Sequence, residues 1–319
     1  MSSPTVTVIV PGRNVGAFAA EALDSLRAQT SDGWRAILVD DASTDETGEI
    51  FARAAADPRF SLIRHDVARG LGASRNEALD AVDTPLVGFL DADDIMRPRA
   101  LETLVGSLAG TGSDIAVGAY VRLKPDATGA YSPGEVQPWV TAATAPARRA
   151  TTLAEHPDVS GNIVAWSKVS RIDLWRRNDL RFTEDRAYED QVVAQRIYAS
   201  ARAIDVIPDV VVQWRERADG TSITQLRHTV PVLQDYLEGM RGGLAVLDGS
   251  GHAAAARSRI SLMLGMDVPA LVRIAEHHPD DAYRRPLGAF VRDLGERAAR
   301  EGIALDPASV PLLDAARAW

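Results

Sequence analysis

Residues 86–94 read Leu-Val-Gly-Phe-Leu-Asp-Ala-Asp-Asp, an apolar run that stops on three carboxylates within four positions. The run has the length of a strand, and its polar end predicts a loop at the strand's carboxyl terminus. Working backwards, residues 5–10 (Thr-Val-Thr-Val-Ile-Val) form a β-branched run closed by Pro11-Gly12, as a buried strand would be. Residues 36–39 give another strand, ending in Asp40-Asp41, and residues 60–64 a third. Between them lie helical patterns. Phe18, Ala22, Leu23 and Leu26 share one face over residues 17–28. Ser43 and Glu46 have capping-box spacing and predict a helix running to about residue 56. Further helices are expected over residues 74–81 and 98–108, with a strand at 115–123. This alternation predicts an α/β fold, a mostly parallel, Rossmann-like sheet flanked by helices.

In such sheets ligands bind beyond the carboxyl ends of the strands. Pro11 to Asn14, Asp40-Asp41 and Asp91 to Asp94 all fall at that edge, so three polar loops should converge on one crevice. Residues 124–156 lose periodicity and read as a surface excursion. Pattern returns at 163–169, in a helix at 190–201 and in a strand at 203–214. Beyond residue 226 the chain reads as helical. We expect one domain over 1–225, whose half to about 123 carries the converging polar loops and whose second half spans 124–225, followed by a helical region at 226–319. Apolar stripes there, such as Leu262, Met263, Met266, Leu271 and Ile274, suit core packing first, with homo-oligomerisation or acceptor docking as lesser roles.

Composition narrows the chemistry. The 319-residue chain is 46% hydrophobic and 25% charged, the balance of a folded protein. It has no cysteine, so any metal must take oxygen or nitrogen ligands. A net charge of −9 argues against a nucleic-acid partner. No signal peptide or transmembrane segment is predicted. A cytoplasmic location, with the inner membrane face within reach, is the expectation.

Asp91 and Asp93, one residue apart in a turn, repel unless a hard divalent cation joins them, and Mg²⁺ or Mn²⁺ would leave coordination positions for phosphate oxygens. Asp93 and Asp94 could equally cap the next helix. A carboxylate at Asp40-Asp41 could accept an imide N–H of uracil, or merely make the loop polar. Arg75, at the start of a helix after Gly70-Leu71-Gly72, could reach phosphate or the crevice carboxylates. A surface ion pair is the plainer alternative. That glycine run is misplaced for a dinucleotide fingerprint, which disfavours a dehydrogenase. In Tyr188-Glu189-Asp190-Gln191 the acids either complement a helix dipole or accept a proton from a hydroxyl.

Taken in order, these segments resemble the family 2 inverting glycosyltransferases of the GT-A fold, over residues 4–225. The elements that carry the resemblance are Val8-Ile9-Val10-Pro11 with Asn14, residues 39–45, Ser74-Arg75-Asn76 after the glycine loop, residues 89–94, and Arg181-Phe182 followed by residues 188–191. The resemblance implies a nucleotide-sugar donor site made by Pro11, Arg13, Asn14, Asp41, Arg75, Asp91 and Ala92. It implies Asp93, with Asp91, as metal ligands for Mn²⁺ or Mg²⁺, Asp190 as the catalytic base, and Glu189 in the acceptor pocket. Arg215, Arg217 and Ser222, within Trp214 to Arg217 and Thr221 to Thr224, resemble a segment that closes on the diphosphate. The donor would be a nucleoside-diphosphate sugar, most simply a UDP-sugar, and the acceptor a hydroxyl on a surface polymer, glycan or small metabolite. Arg13 and Ala68 depart from the family, where an aromatic residue and Asn are usual. A nucleotidyltransferase would carry a Gly-rich, Lys-containing loop after the first strand, which this chain lacks. A catalytically silent sugar-nucleotide-binding protein is the other alternative.

Overall fold

A computed structural model describes residues 5–218, 220 and 222–319. Four strands, β1 (Val6–Gly12), β2 (Trp34–Asp40), β3 (Phe60–Arg64) and β4 (Leu86–Phe89), lie parallel in the order β3-β2-β1-β4. Helices α1 (Gly16–Arg27), α2 (Thr47–Ala54) and α3 (Leu71–Asp80) connect them. All seven residues of β1 are buried, because helices cover both faces of the sheet at its centre. Burying a Val or Ile side chain there contributes roughly 1.5–3 kcal/mol. Helix α1 turns Ala22, Leu23 and Leu26 to that core as the periodicity predicts, with Ala19 beside them; Phe18, expected on the same face, is only half-buried and lies under the Arg215 guanidinium instead.

The short β5 (Ile95–Met96) and α4 (Ala100–Thr111) lead into β6 (Ile115–Pro125). The stretch read as a surface excursion instead contains β7 (Tyr131–Pro133), α5 (Pro138–Thr144) and β8 (Arg148–Thr151), with β7 pairing to β6 and β8 to β10. Short edge strands have too few residues to show a period, so their Pro, Gly and Thr content hid them. Strand β9 (Lys168–Arg171) enters antiparallel between β4 and β6 and joins the two halves of the sheet. Helices α6 (Ile172–Arg177) and α7 (Asp190–Ser200) follow, and β10 (Ile204–Arg215) then runs parallel to β6.

One local expectation fails. Ser43 and Glu46 do not form a capping box: Ser43 Oγ accepts from Asn14 N–H at 3.1 Å. Glu46 is the N-cap and makes no side-chain cap bond; Asp45, just before it, accepts from Thr47 N–H through Oδ1 at 2.9 Å. Spacing alone could not show that a neighbouring loop competes for the serine.

The chain ends in α8 (Val230–Gly249), α9 (Ala253–Leu262), a π-helical turn (Met263–Asp267), α10 (Val268–Glu276), α11 (Asp281–Glu301) and α12 (Val310–Arg317). Of the apolar stripe, Met263 and Leu271 are buried in the core, while Leu262, Met266 and Ile274 are half-buried. No helix among the described residues is long and apolar enough to cross a membrane.

Candidate active site

The loops after β1 and β2 are laced together. Asn14, at a positive φ of 52°, accepts from Thr44 N–H through Oδ1 at 2.9 Å. Val15 N–H donates to Thr47 Oγ1 at 2.8 Å, and Gly16 N–H donates to Asp45 Oδ2 at 2.9 Å. Pro11 closes β1 in the interior, whereas Arg13 and Asn14 face solvent at the mouth of the loop.

Asp41 is buried and holds a fourth loop, the one that leaves β3. Its Oδ1 accepts from Arg69 N–H and pairs with His65 Nδ1, both at 2.7 Å, and its Oδ2 accepts from Gly70 N–H at 2.9 Å. Burial raises the Asp41 pKa, but these hydrogen bonds outweigh it and hold the carboxyl below its ordinary range. His65, itself buried, reaches Glu77 Oε2 through its other ring nitrogen at 3.1 Å. The sequence alone does not mark this histidine, because its partner Asp41 comes from another loop. The place of His65, one residue beyond the end of a parallel strand, was the available signal.

Arg75 is the hub of the site. Helix α3 begins at Leu71, three residues earlier than the pattern indicated, which puts Arg75 in its second turn and almost wholly buried. Nη2 donates to Asp91 Oδ1 at 2.5 Å and Nη1 pairs with Glu189 Oε1. The guanidinium lies over the Phe182 ring, 5.1 Å from its centroid. Of the two roles open to Arg75, bonding the crevice carboxylates is the one observed. Asn76 clamps the backbone beside it, accepting from Phe182 N–H at 2.9 Å and donating to Phe182 O at 3.0 Å. Segments more than a hundred residues apart are thereby joined.

The acidic turn after β4 splits by role. Ala92 is buried and supplies backbone only. Asp93 pairs with Arg217, whose Nε and Nη2 lie 2.8 and 2.7 Å from Oδ2. Asp94 is buried, accepts from Arg215 N–H at 2.7 Å, and its Oδ2 has no hydrogen-bond partner among the described residues. Burial, with Asp93 and Asp91 adding repulsion, pushes the Asp94 pKa well above its usual value. Burial also raises Asp93, against the pull of Arg217. Arg215 donates to Asp93 O at 2.7 Å and to Glu21 Oε2 at 2.5 Å, and lies over the Tyr131 ring. Ser222 caps its own short turn with Gln225, its hydroxyl donating to Oε1 at 2.7 Å, and among the described residues no bond joins it to the carboxylates of this turn. Thr221 lies outside the described residues. Among the described residues no three metal-ligating side chains enclose a cation by themselves. The carboxylates of Asp91 and Asp93, one residue apart on this turn, are donors of the kind a hard cation takes when phosphate oxygens complete its shell.

Asp190 opens α7 beside a narrow apolar cavity lined by Phe89, Val164, Phe182 and Val193, with Lys168 as its other charged wall. Burial and then the adjacent Glu189 raise the Asp190 pKa to about 7, against Arg75 and Lys168, which lower it. Burial brings Lys168 down to about 7, although its ammonium donates to Asn162 Oδ1 at 2.7 Å. Glu189 is likewise raised by burial, opposed by Arg75. Asp91 and Glu189, with Asp190 close beside them, therefore belong to one charge network centred on Arg75.

The family description Glycosyl transferase family 2 matches residues 7–181, more than half of the chain. This chain belongs to glycosyltransferase family 2. The enzyme is 28% identical over 244 residues to the uncharacterized glycosyltransferase EpsJ of Bacillus subtilis, covering 74% of this chain and 67% of EpsJ. It is 24% identical over 226 residues to the glycosyltransferase GlyG of Streptococcus pneumoniae, covering 70% of this chain and 74% of GlyG. Residues 1–349 of TarS from S. aureus, solved with UDP-GlcNAc, share its fold at a TM-score of 0.75 and 21% identity, over 98% of this chain and 87% of that one. The mannosyltransferase PcManGT of Pyrobaculum calidifontis, in complex with GDP-Man and Mn²⁺, gives a TM-score of 0.58 at 20% identity, over 99% of this chain and 87% of that one. The glycosyltransferase thus has the GT-A fold expected from its sequence, C-terminal helices included.

Proposed function

We propose that this glycosyltransferase moves a sugar from a nucleoside-diphosphate sugar of the UDP class to an acceptor hydroxyl, with inversion and with Asp190 as general base. One observation carries the reading: Arg75 bonds both Asp91 and Glu189, so the donor-binding turn and the residue beside the base form one ionic unit. The binding of UDP-GlcNAc by TarS, a neighbour in fold, supports a UDP donor.

In this reading the donor nucleoside lies against Pro11, Arg13, Asn14 and Asp41, with Arg75, Asp91 and Ala92 along the ribose and phosphates. Asp93, with Asp91 beside it, would hold Mn²⁺ or Mg²⁺, which when bound supplies positive charge to the departing diphosphate. Arg215 and Arg217 add cationic groups on that side, and Ser222 completes the segment that covers it. Glu189 shapes the acceptor pocket. The acceptor oxygen attacks the anomeric carbon while Asp190 takes its proton, and the bond from that carbon to the diphosphate oxygen breaks on the opposite face. A carboxylate in its usual range accepts a proton weakly. Raised to about 7, Asp190 is a better acceptor and is still half ionised at neutral pH. Residues 1–225 would be the catalytic unit and 226–319 its helical partner.

A panel of UDP-, GDP- and dTDP-sugars with Mn²⁺ and candidate acceptors, read by nucleoside-diphosphate release, tests the assignment. UDP-sugar turnover that EDTA stops and Mn²⁺ restores is expected. Transfer undiminished in Asp190→Asn would overturn it.

A further inference from the structure

The turn that leads into Asp190 is gripped by α8. Asp235 Oδ2 accepts from Ala187 N–H at 2.9 Å, and Glu238 pairs with Arg186. The Tyr236 ring stacks on Tyr188 with centroids 4.0 Å apart and planes 17° from parallel. Tyr188 itself sits at φ 57°, a left-handed conformation that a bulky residue keeps only when its surroundings impose it. One turn further on, α8 presses on α7 through glycines: a Cβ on Gly242 would lie 2.8 Å from Val192 Cγ2, and one on Gly239 3.1 Å from Gln191 Cβ. Tyr236 is anchored in turn, its hydroxyl donating to the buried Asp267 Oδ1 at 2.7 Å from the end of the π-helical turn. Turns of this type are uncommon and often mark functional positions.

We propose that α8 is a positioning element of the transfer reaction, in which Tyr236, anchored by Asp267, and Asp235 fix the 187–188 backbone and thereby the direction of Asp190. Asp190 is the first residue of α7, so its direction depends on the turn before it. The proposal rests on Asp190 being the base. Tyr236 and Asp235 contact Tyr188 and Ala187, and act through those two residues.

The test compares kcat with UDP affinity, measured by calorimetry, on the full chain. Tyr236→Leu should lower kcat by about tenfold or more, the sensitivity expected of a small misplacement of a reacting group, and leave the UDP Kd within about twofold. Tyr236→Phe keeps the ring on Tyr188 but loses the hydroxyl that Asp267 holds, and should recover only part of the loss. Asp235→Ala, at a half-buried surface position, should lower kcat by several fold, again without changing UDP affinity. The proposal is overturned if Tyr236→Leu keeps wild-type kcat, or loses UDP affinity in step with kcat. Should Tyr236→Leu not fold, Asp235→Ala decides, and an unchanged kcat there overturns it. Asp190→Asn run alongside separates the two levels. If that variant turns over normally, the base assignment has failed; if it is inactive while the α8 variants are unaffected, only the positioning role has.

Discussion

Replacing Asp190 by Asn should abolish transfer and, at alkaline pH, stabilise the fold. The two carboxamide and carboxylate groups have nearly the same shape, so packing beside the cavity is retained. In the folded protein the Asp190 pKa is raised from 3.8 to about 7, chiefly by burial and then by Glu189. A carboxyl raised in this way imposes no penalty below its unfolded pKa, where it is protonated in both states. Stability falls as pH rises from about 4 to about 7, and the full cost is present above that. A shift of about three pH units at 1.36 kcal/mol each sets an upper limit of about 4 kcal/mol. Solvent reaching the half-buried side chain screens part of this, leaving about 1–3 kcal/mol. Urea denaturation at pH 8 should therefore show Asp190→Asn as more stable than wild type by that amount, with the difference shrinking toward pH 4. The same variant should bind UDP and show no turnover. A variant less stable than wild type at pH 8, or one that retains turnover, would refute the reasoning.

Three further substitutions probe the same network. Arg75→Met leaves the Asp91 and Glu189 carboxylates without their partner and should cost about 3–5 kcal/mol by denaturation, whereas a loss under about 1 kcal/mol would mean the guanidinium is not their main partner. In Gly72→Ala the new Cβ falls on the Thr183 carbonyl oxygen; about 1–3 kcal/mol of stability should be lost, with kcat falling as the segment before Asp190 shifts, and a neutral result would deny that close approach. Arg217→Ala removes the cation now paired with Asp93, so Mn²⁺ affinity without donor, read by electron paramagnetic resonance, should rise while UDP affinity falls. Changes of the same sign would contradict that role.

Much of this site was legible because carboxylates at strand ends are placed by the sheet itself. Once 5–10, 36–39 and 86–90 were read as strands, Asn14, Asp41 and Asp91 had to share an edge. The partnerships across that edge were not legible. Arg75 could be read as free for phosphate or bound to acids, and only the fold brings Glu189, 114 residues away, to its Nη1. His65 was missed because its partner, Asp41, comes from another loop. The Tyr188–Tyr236 stack was equally hidden, since ring contacts between distant helices leave no local period. Local signals also misled where a tertiary partner competed, as when Asn14 took the hydroxyl of Ser43.

A crystal structure of the full chain with UDP and Mn²⁺ would be decisive. The diphosphate should lie across the Asp91–Asp93 turn, with the cation on Asp93, Arg217 moved off that carboxylate, and Asp190 facing the open side of the departing phosphate. Nucleotide bound at another face, with the Asp93–Arg217 pair undisturbed, would contradict the assignment of this edge as the donor site.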